Sequence, residues 1–358
     1  MRRLDLPCRV ERRGAGRRLS ARERRRRRSE QRAAVSAVAC RARQDGAVTV
    51  LGIDVGGTKV AGVAMTESGE VLHRSWREHR IRSAEGLLDE IARTADELRA
   101  ALAEAAQPMP ERLGLGIAAW LTPDASTIAW AAHFRIRGFP VRDAVAARVD
   151  LPVVVDNDGN AHGLGEHRLG AGRGAQSLLL VSLGTGVGGA LVIGGRPLRG
   201  AHGFAGELGH VTVVEDGPLC SCEAHGCLEA FAGGQALARV GSRIAAARTL
   251  AGGRPVTAKD LVDAALAGDP ASIGAVGDAG IAIAAALRRM LPAFDPEIVV
   301  LGGSVGMAAH SILLPIVEQE LDALAPLQSV PQPRRIVPAA LGRWSTAIGS
   351  ASLALPQE

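Results

Sequence analysis

From residue 48 onward the chain alternates apolar runs with glycine turns. The segment VTVLGIDVGGTKVAGVAM, 48–65, reads as a strand, a Gly-Gly-Thr turn and a second strand, and VLHRSWREH, 71–79, continues as the third strand of a meander. Over 84–106 the apolar residues Leu87, Leu88, Ile91, Ala95, Leu98 and Leu102 recur at helical spacing. LGLGIAAWL, 113–121, reads as a buried strand, and 151–155 is a short β-run that ends at Asp156-Asn157-Asp158-Gly159. Residues 178–183 and 189–194 predict strands on either side of another glycine turn, and 217–227 has no periodicity. Ala-rich helices are expected over 231–247 and 273–290, a strand from Glu297 into a third glycine turn, and a closing helix over 344–355. Strands that alternate with helices in this way predict an α/β protein with at least two sheets.

The first 47 residues follow a different pattern. They hold sixteen arginines, five of them consecutive at 24–28, against five acids, a net of +11. The remaining 311 residues hold 26 basic and 32 acidic side chains, a net of −6, so the formal +5 of the whole chain belongs to the tail. The tail has few apolar residues and cannot offset the entropy of ordering, so 1–47 is expected to be a disordered extension. A nucleic-acid-binding arm and a transit peptide compete with a dispensable extension. The extension is preferred, because the strand pattern begins abruptly at Val48 and acids interrupt the arginines.

Five cysteines, Cys8, Cys40, Cys220, Cys222 and Cys227, are too few and too clustered for a disulfide framework. The longest uncharged stretch, 174–195, contains seven glycines around GTGVGG, which argues against a membrane span. A soluble protein of a reducing compartment, the cytoplasm, is expected, with no membrane partner.

Three groups of residues carry candidate chemistry. Asp54-Val-Gly56-Gly57-Thr58-Lys59, Gly184-Thr185-Gly186 and Gly302-Gly303-Ser304 each follow a β-run. Such turns let backbone amides approach an anion. None has P-loop or Rossmann spacing, and three together suggest a nucleotide clamp in which Asp54 faces the metal–phosphate assembly. The second group is His210 with Cys220, Cys222 and Cys227, one imidazole and three thiols within 18 residues, the ligand set of a closed structural zinc site. Buried free thiols are the competing reading, and for the flanking Glu207 and Glu229 the competing reading is solvated surface acids. The third group is Val155 to Asn160, where a carboxylate could take a proton from a hydroxyl nucleophile, although Asp-Asn-Asp-Gly by itself reads better as a turn.

Taken in order, IDVGGTK, VVVDNDGNAHGLGE, SLGTGVGG, GELGH, CSCEAHGCLE and VLGGSVG resemble the ROK family of bacterial sugar kinases and sugar-responsive repressors, and within it the glucokinases, over roughly Val50 to Leu355. The resemblance implies an actin-like (ribonuclease H-like) ATPase fold of two α/β domains around a cleft. It divides the chain into 48–158 with 341–358, and 159–340 with a zinc loop over 210–227. It implies ATP with Mg2+, a structural Zn2+, and a homodimer or homotetramer. By position, Asp158 matches the general base, and Asn157, Glu207, His210 and Glu229 match the residues that hold sugar hydroxyls, with His133 near them. Gly56, Gly57, Thr58, Gly184, Thr185 and Gly186 match the phosphate turns, with Lys59 in the motif. Gly302 and Gly303 match the adenosine-side turn. The implied activity is ATP-dependent phosphorylation of the 6-hydroxyl of glucose. N-acetylmannosamine or N-acetylglucosamine kinase is the alternative, and a sugar-sensing repressor is disfavoured because 1–47 is too short for a winged helix-turn-helix. Two positions depart from the pattern: Glu223 stands where the zinc loop usually has Gly, and Trp120 is bulky where the family tends to be small.

Overall fold

The computed structural model describes residues 48–322 and 335–356, so the expectation for 1–47 lies outside the described residues. From Val48 onward the chain holds together as one unit. Its first sheet is built from β1 (Thr49–Val55), β2 (Lys59–Thr66), β3 (Val71–Glu78), β4 (Arg112–Ile117) and β8 (Val153–Asn157), in the order β3-β2-β1-β4-β8. A small sheet between β4 and β8 in sequence holds β5 (Trp120–Leu121), β6 (Ile128–Ala131) and β7 (Ile136–Phe139). The second large sheet holds β9 (Ser177–Leu183), β10 (Val187–Ile193), β11 (Arg196–Pro197), β12 (Ile298–Gly302) and β13 (Arg335–Pro338), in the order β11-β10-β9-β12-β13.

The two large sheets repeat one plan. In each, a first strand pairs antiparallel with the second across a glycine turn, and parallel strands are added on the other side. β1 is buried at every position except Asp54, which is half-buried at the strand's end beside the turn. Helix Ala84–Glu104 makes the crossover from β3 to β4. Ser83 caps it, its hydroxyl accepting from the Gly86 amide, and Leu87, Ile91, Ala95, Leu98 and Leu102 face the sheet core as the spacing predicts.

The closing helix Ser345–Ala354 lies across the first sheet. It packs so closely that a Cβ on Gly52 or Gly114 would run into the backbone at Ala347, Ser350 and Ala351. The same helix packs on helix Asp158–Leu169, backbone to backbone at Gly349 and Ala161. Glu166 ties these elements together. It is fully buried and accepts from the amides of Ala171 (2.9 Å), Ala340 (2.9 Å) and Leu341 (3.0 Å) and from the Ser345 hydroxyl (2.8 Å). Helix Pro270–Phe294 is long and apolar enough to cross a membrane, but Val276, Ile283 and Leu287 are buried in the core under the second sheet.

Four details differ from the sequence expectation. The run 113–121 is not one strand: it breaks after Ile117, and Trp120–Leu121 pairs with β6 instead. The helix expected over 231–247 is three short helices, Glu229–Ala232, Gly234–Gly241 and Ala245–Ala251. Gly233 breaks it with extended backbone where Gly186 packs close, and Ile244 breaks it again. Asp156 to Asn160 is a strand-to-helix junction rather than a turn, and its helix was hidden by Gly159, Gly163 and Gly165, poor helix formers by about 1 kcal/mol each. The third glycine turn is likewise a junction: β12 ends at Gly302 and helix Gly303–Asp322 begins at once, with Gly303 at φ +78°, a conformation open to glycine.

Candidate active site

The first glycine turn closes with the Gly56 amide donating to the Lys59 carbonyl (3.0 Å). His79, almost fully buried, buttresses it: its Nε2 lies 2.7 Å from the Gly56 carbonyl, while Nδ1 accepts from the Ile81 amide and the His79 amide donates to the Thr58 carbonyl. Gly57 packs against the His133 ring, and Thr58 is exposed. Lys59 turns away, its ammonium 5.8 Å over the Trp76 ring.

The second turn is braced from behind. The amides of Gly234 and Gln235, at the start of helix Gly234–Gly241, donate to the carbonyls of Gly184 (2.9 Å) and Thr185 (3.0 Å), and the Gly184 amide donates to Gly186. Glu229 lies against Gly186, with one carboxylate oxygen accepting from the Val187 amide (3.0 Å) and the other from the Ser221 hydroxyl (2.6 Å) of the cysteine loop. At the third turn the first amides of helix Gly303–Asp322 have no partner within the helix, the arrangement that favours an anionic or polar ligand.

The candidate base, Asp158, is the first residue of its helix. Asn157 caps that helix, its side-chain oxygen accepting from the backbone amides of Gly159 (2.8 Å) and Asn160 (3.4 Å) while its side-chain NH2 donates to the Ala119 carbonyl (3.3 Å). Burial raises the Asp158 carboxyl above its ordinary value, against the opposing pull of nearby amides and the charge of His133. Asp54 is raised well above its ordinary value, first by burial and then by the negative charge of Asp158. Two carboxyls that repel each other beside glycine turns make a donor set suited to a divalent cation with oxygen ligands, so the residues present fit Mg2+.

Glu207 belongs to the same cluster. Burial raises it, the charges of Asp158 and Glu229 add to that, and His210 and a hydrogen bond with the Trp120 side chain oppose it. Trp120 tilts against Phe204, ring centroids 5.3 Å apart, and both stay partly exposed. The sequence reading missed Phe204 and His79. Nothing in their spacing marks them, and both come to the site through loops.

His210 points two ways. Its Nδ1 lies 3.6 Å from Cys220 Sγ, and its Nε2 lies 4.0 Å from the Glu207 carboxylate. The ligand atoms of His210, Cys220, Cys222 and Cys227 all lie within 4.8 Å of one another. Cys222 Sγ and Cys227 Sγ are 3.7 Å apart, far longer than a disulfide and close to the roughly 3.8 Å edge of a tetrahedron with Zn–S bonds of about 2.3 Å. The residues present therefore fit a closed zinc site. Glu223 in this loop adopts φ +71°, the strained conformation expected if it replaces a glycine, and its amide bonds to the Cys220 carbonyl.

The structure thus joins Asp54, His133, Asp158, Glu207 and Glu229 in one electrostatic cluster, with the cysteines behind His210 and the second turn behind Glu229. Lys59 is drawn off by Trp76, and Gly302 packs against the His162 ring.

The sequence model of the ROK family matches residues 50–357. A glucokinase of Halalkalibacterium halodurans is 35% identical over 320 residues, covering 86% of this chain and 95% of the relative. An N-acetylmannosamine kinase of Yersinia pseudotuberculosis is 32% identical, covering 72% of this chain and 83% of the relative. The crystal structure of a ROK family glucokinase from Streptomyces griseus in complex with glucose and AMPPNP is 32% identical and covers 86% of this chain and 99% of its own, with a TM-score of 0.73. With the family's sequence model matching nearly the whole described body and its actin-like α/β architecture present, the chain belongs to the ROK family.

Proposed function

We propose that the protein is an ATP-dependent glucose kinase that transfers the γ-phosphoryl group to the sugar 6-hydroxyl. The observation that supports this reading is the electrostatic coupling of Asp158, a half-buried carboxyl raised above its ordinary value, to Asp54, Glu207 and His133, with the His133 ring against Gly57 of the first glycine turn. The similarity to glucokinases, one of them solved with glucose and an ATP analogue, supports it.

In this reading Asp158 accepts the proton of the attacking hydroxyl, and Asn157, Glu207, His210, Glu229 and His133 hold the other hydroxyls. The turns made by Gly56, Gly57, Thr58, Gly184, Thr185 and Gly186 receive the phosphates, with the Gly56 and Gly184 amides engaged in closing their own turns and Lys59 at their edge, and Gly302 and Gly303 receive the adenosine. Mg2+ held near Asp54 would neutralise phosphate charge. Zinc at His210, Cys220, Cys222 and Cys227 would fix the imidazole so that Nε2 faces the sugar. Phosphoryl transfer asks chiefly for positioning and charge stabilisation, which this arrangement supplies. The proposal includes two lobes, 48–158 with 341–358 and 159–340, a cytoplasmic location, no specific nucleic-acid partner and self-association as a dimer or tetramer.

A coupled ADP-release assay against glucose, mannose, N-acetylmannosamine and N-acetylglucosamine tests it. Glucose is expected to give the highest kcat/KM. Preference for an N-acetyl sugar would replace glucose by the second reading, which the similarity to an N-acetylmannosamine kinase favours. Tight sugar binding with no turnover would overturn the kinase.

A further inference from the structure

Asp156 has no place in the assignments above, yet it is the most fully engaged carboxylate beside the site. It is the last residue but one of β8, and 2% of it is exposed. One oxygen accepts from the Asn157 amide (2.8 Å) and from the Asn160 side-chain amide (2.9 Å). The other accepts two bonds from Arg199, from Nε at 2.9 Å and Nη2 at 2.6 Å. Charge-assisted bonds of this kind are short, directional and roughly twice as strong as neutral ones.

The two partners come from different sheets. Asp156 is the penultimate residue of the edge strand β8 of the first sheet, two residues before Asp158. Arg199 lies two residues beyond β11, at the edge of the second sheet, and opens the loop that leads to Glu207 and His210. That loop folds back on the arginine, the Ala205 amide donating to the Arg199 carbonyl (3.1 Å). Gly206 of the loop comes close to the Asn160 side chain, which Asp156 also holds.

We propose that the Asp156–Arg199 ion pair is a positioning device that couples the sugar-binding loop to the general base. It rests on the kinase reading above. One oxygen of Asp156 fixes the two residues that frame Asp158, and the other fixes the origin of the loop that carries Glu207. A shift of the loop when sugar binds acts on the same carboxylate that sets the junction from which Asp158 projects. Neither residue touches the reacting atoms; both act through their neighbours.

The test uses the full chain loaded with zinc and Mg2+. Arg199→Ala, Arg199→Lys, Asp156→Asn and the Asp156→Asn/Arg199→Ala double variant are compared by steady-state kinetics, with sugar and ATP varied independently, and by thermal melting. Each single variant is expected to lose roughly 10–100-fold in kcat/KM for the sugar, the scale of a small misplacement of catalytic groups, while KM for ATP stays within about twofold. The double variant should be no worse than the worse single, because both remove one coupling. Millimolar guanidinium should restore part of the loss in Arg199→Ala. Arg199 keeps 38% of its side chain exposed, so its variants should fold even where Asp156→Asn does not. A folded Arg199→Ala enzyme with unchanged sugar kinetics, or with KM for ATP raised as far as KM for the sugar, overturns the coupling and leaves a plain staple. A wild-type protein that phosphorylates no sugar overturns the kinase reading and the coupling with it.

Discussion

The two large sheets share one strand order, and each turns its first hairpin with glycines, yet the two turns are supported by opposite means. Behind Gly56–Gly57 stand His79, which buttresses the Gly56 carbonyl, and the His133 ring, while the carboxyl at that turn, Asp54, is raised well above its ordinary value, first by burial and then by the charge of Asp158. Behind Gly184–Gly186 the charge is on the outside. Glu229 braces the turn through the Val187 amide, and the Ser221 bond ties that brace to the cysteine loop. On the kinase reading, one backbone plan yields a reactive side, at Asp54 and Asp158, and a braced side, tied through Glu229 to the cysteine loop. Hydrogen-bond geometry alone does not separate them; the placement of a few carboxylates does.

The largest expected effect breaks the reactive side. Asp158→Asn should lower kcat by roughly 10²–10⁴, the usual range for a general base. The same variant should melt higher than wild type at neutral pH. A carboxyl raised on folding adds stability that is complete below its unfolded pKa and lost as pH rises through the folded one, so the substitution removes a cost present at neutral pH and the difference fades toward acid. In wild type the acid limb of kcat/KM should fall above the ordinary carboxylate range for the same reason.

Zinc removal breaks the other side. Metal analysis is expected to find one zinc per chain, and less than one per two chains would count against the site. Chelation should lower the melting temperature and raise KM for sugar through His210 and for ATP through the Ser221–Glu229 brace.

The turns themselves give a matched pair. A Cβ at Gly186 meets the Glu229 carboxylate, which is pinned from two directions, so Gly186→Ala should cost roughly 10–100-fold in kcat/KM for ATP, the kinetic equivalent of an overpacking strain of about 1–3 kcal/mol. A Cβ at Gly57 meets the His133 ring at 3.1 Å, which can swing aside, so Gly57→Ala should cost only about threefold. Equal losses would show that the two turns are not braced differently. The smallest effect is Glu223→Gly, which should stabilise the cysteine loop by about 1 kcal/mol in a melting experiment, because glycine relieves the positive φ.

Much of this was legible in sequence. The meander over 48–79, the helix from Ala84 and the closing helix follow from period-two and period-3.6 patterns, and the Cys-x-Cys loop with His210 announces its ligands by residue type. The failures have one cause. Glycine-rich helix starts at Asp158 and Gly303 read as turns because local propensity disfavours helix there, while close packing on a neighbouring backbone demands small residues. The break in 231–247 came from contact with the second glycine turn, to which a helical pattern is blind.

By itself the sequence determined which residue types exist to do chemistry, their order along the chain and the strand-and-helix rhythm that carries them, because these depend on side-chain periodicity and motif spacing. Only the tertiary structure decided which charges face each other: that Asp54 and Asp158 share a site, that Glu229 braces a turn, that Lys59 is drawn to Trp76, and that Asp156 and Arg199 join two sheets. Electrostatic coupling falls with distance and grows with burial, and both are set when segments far apart in sequence are brought together.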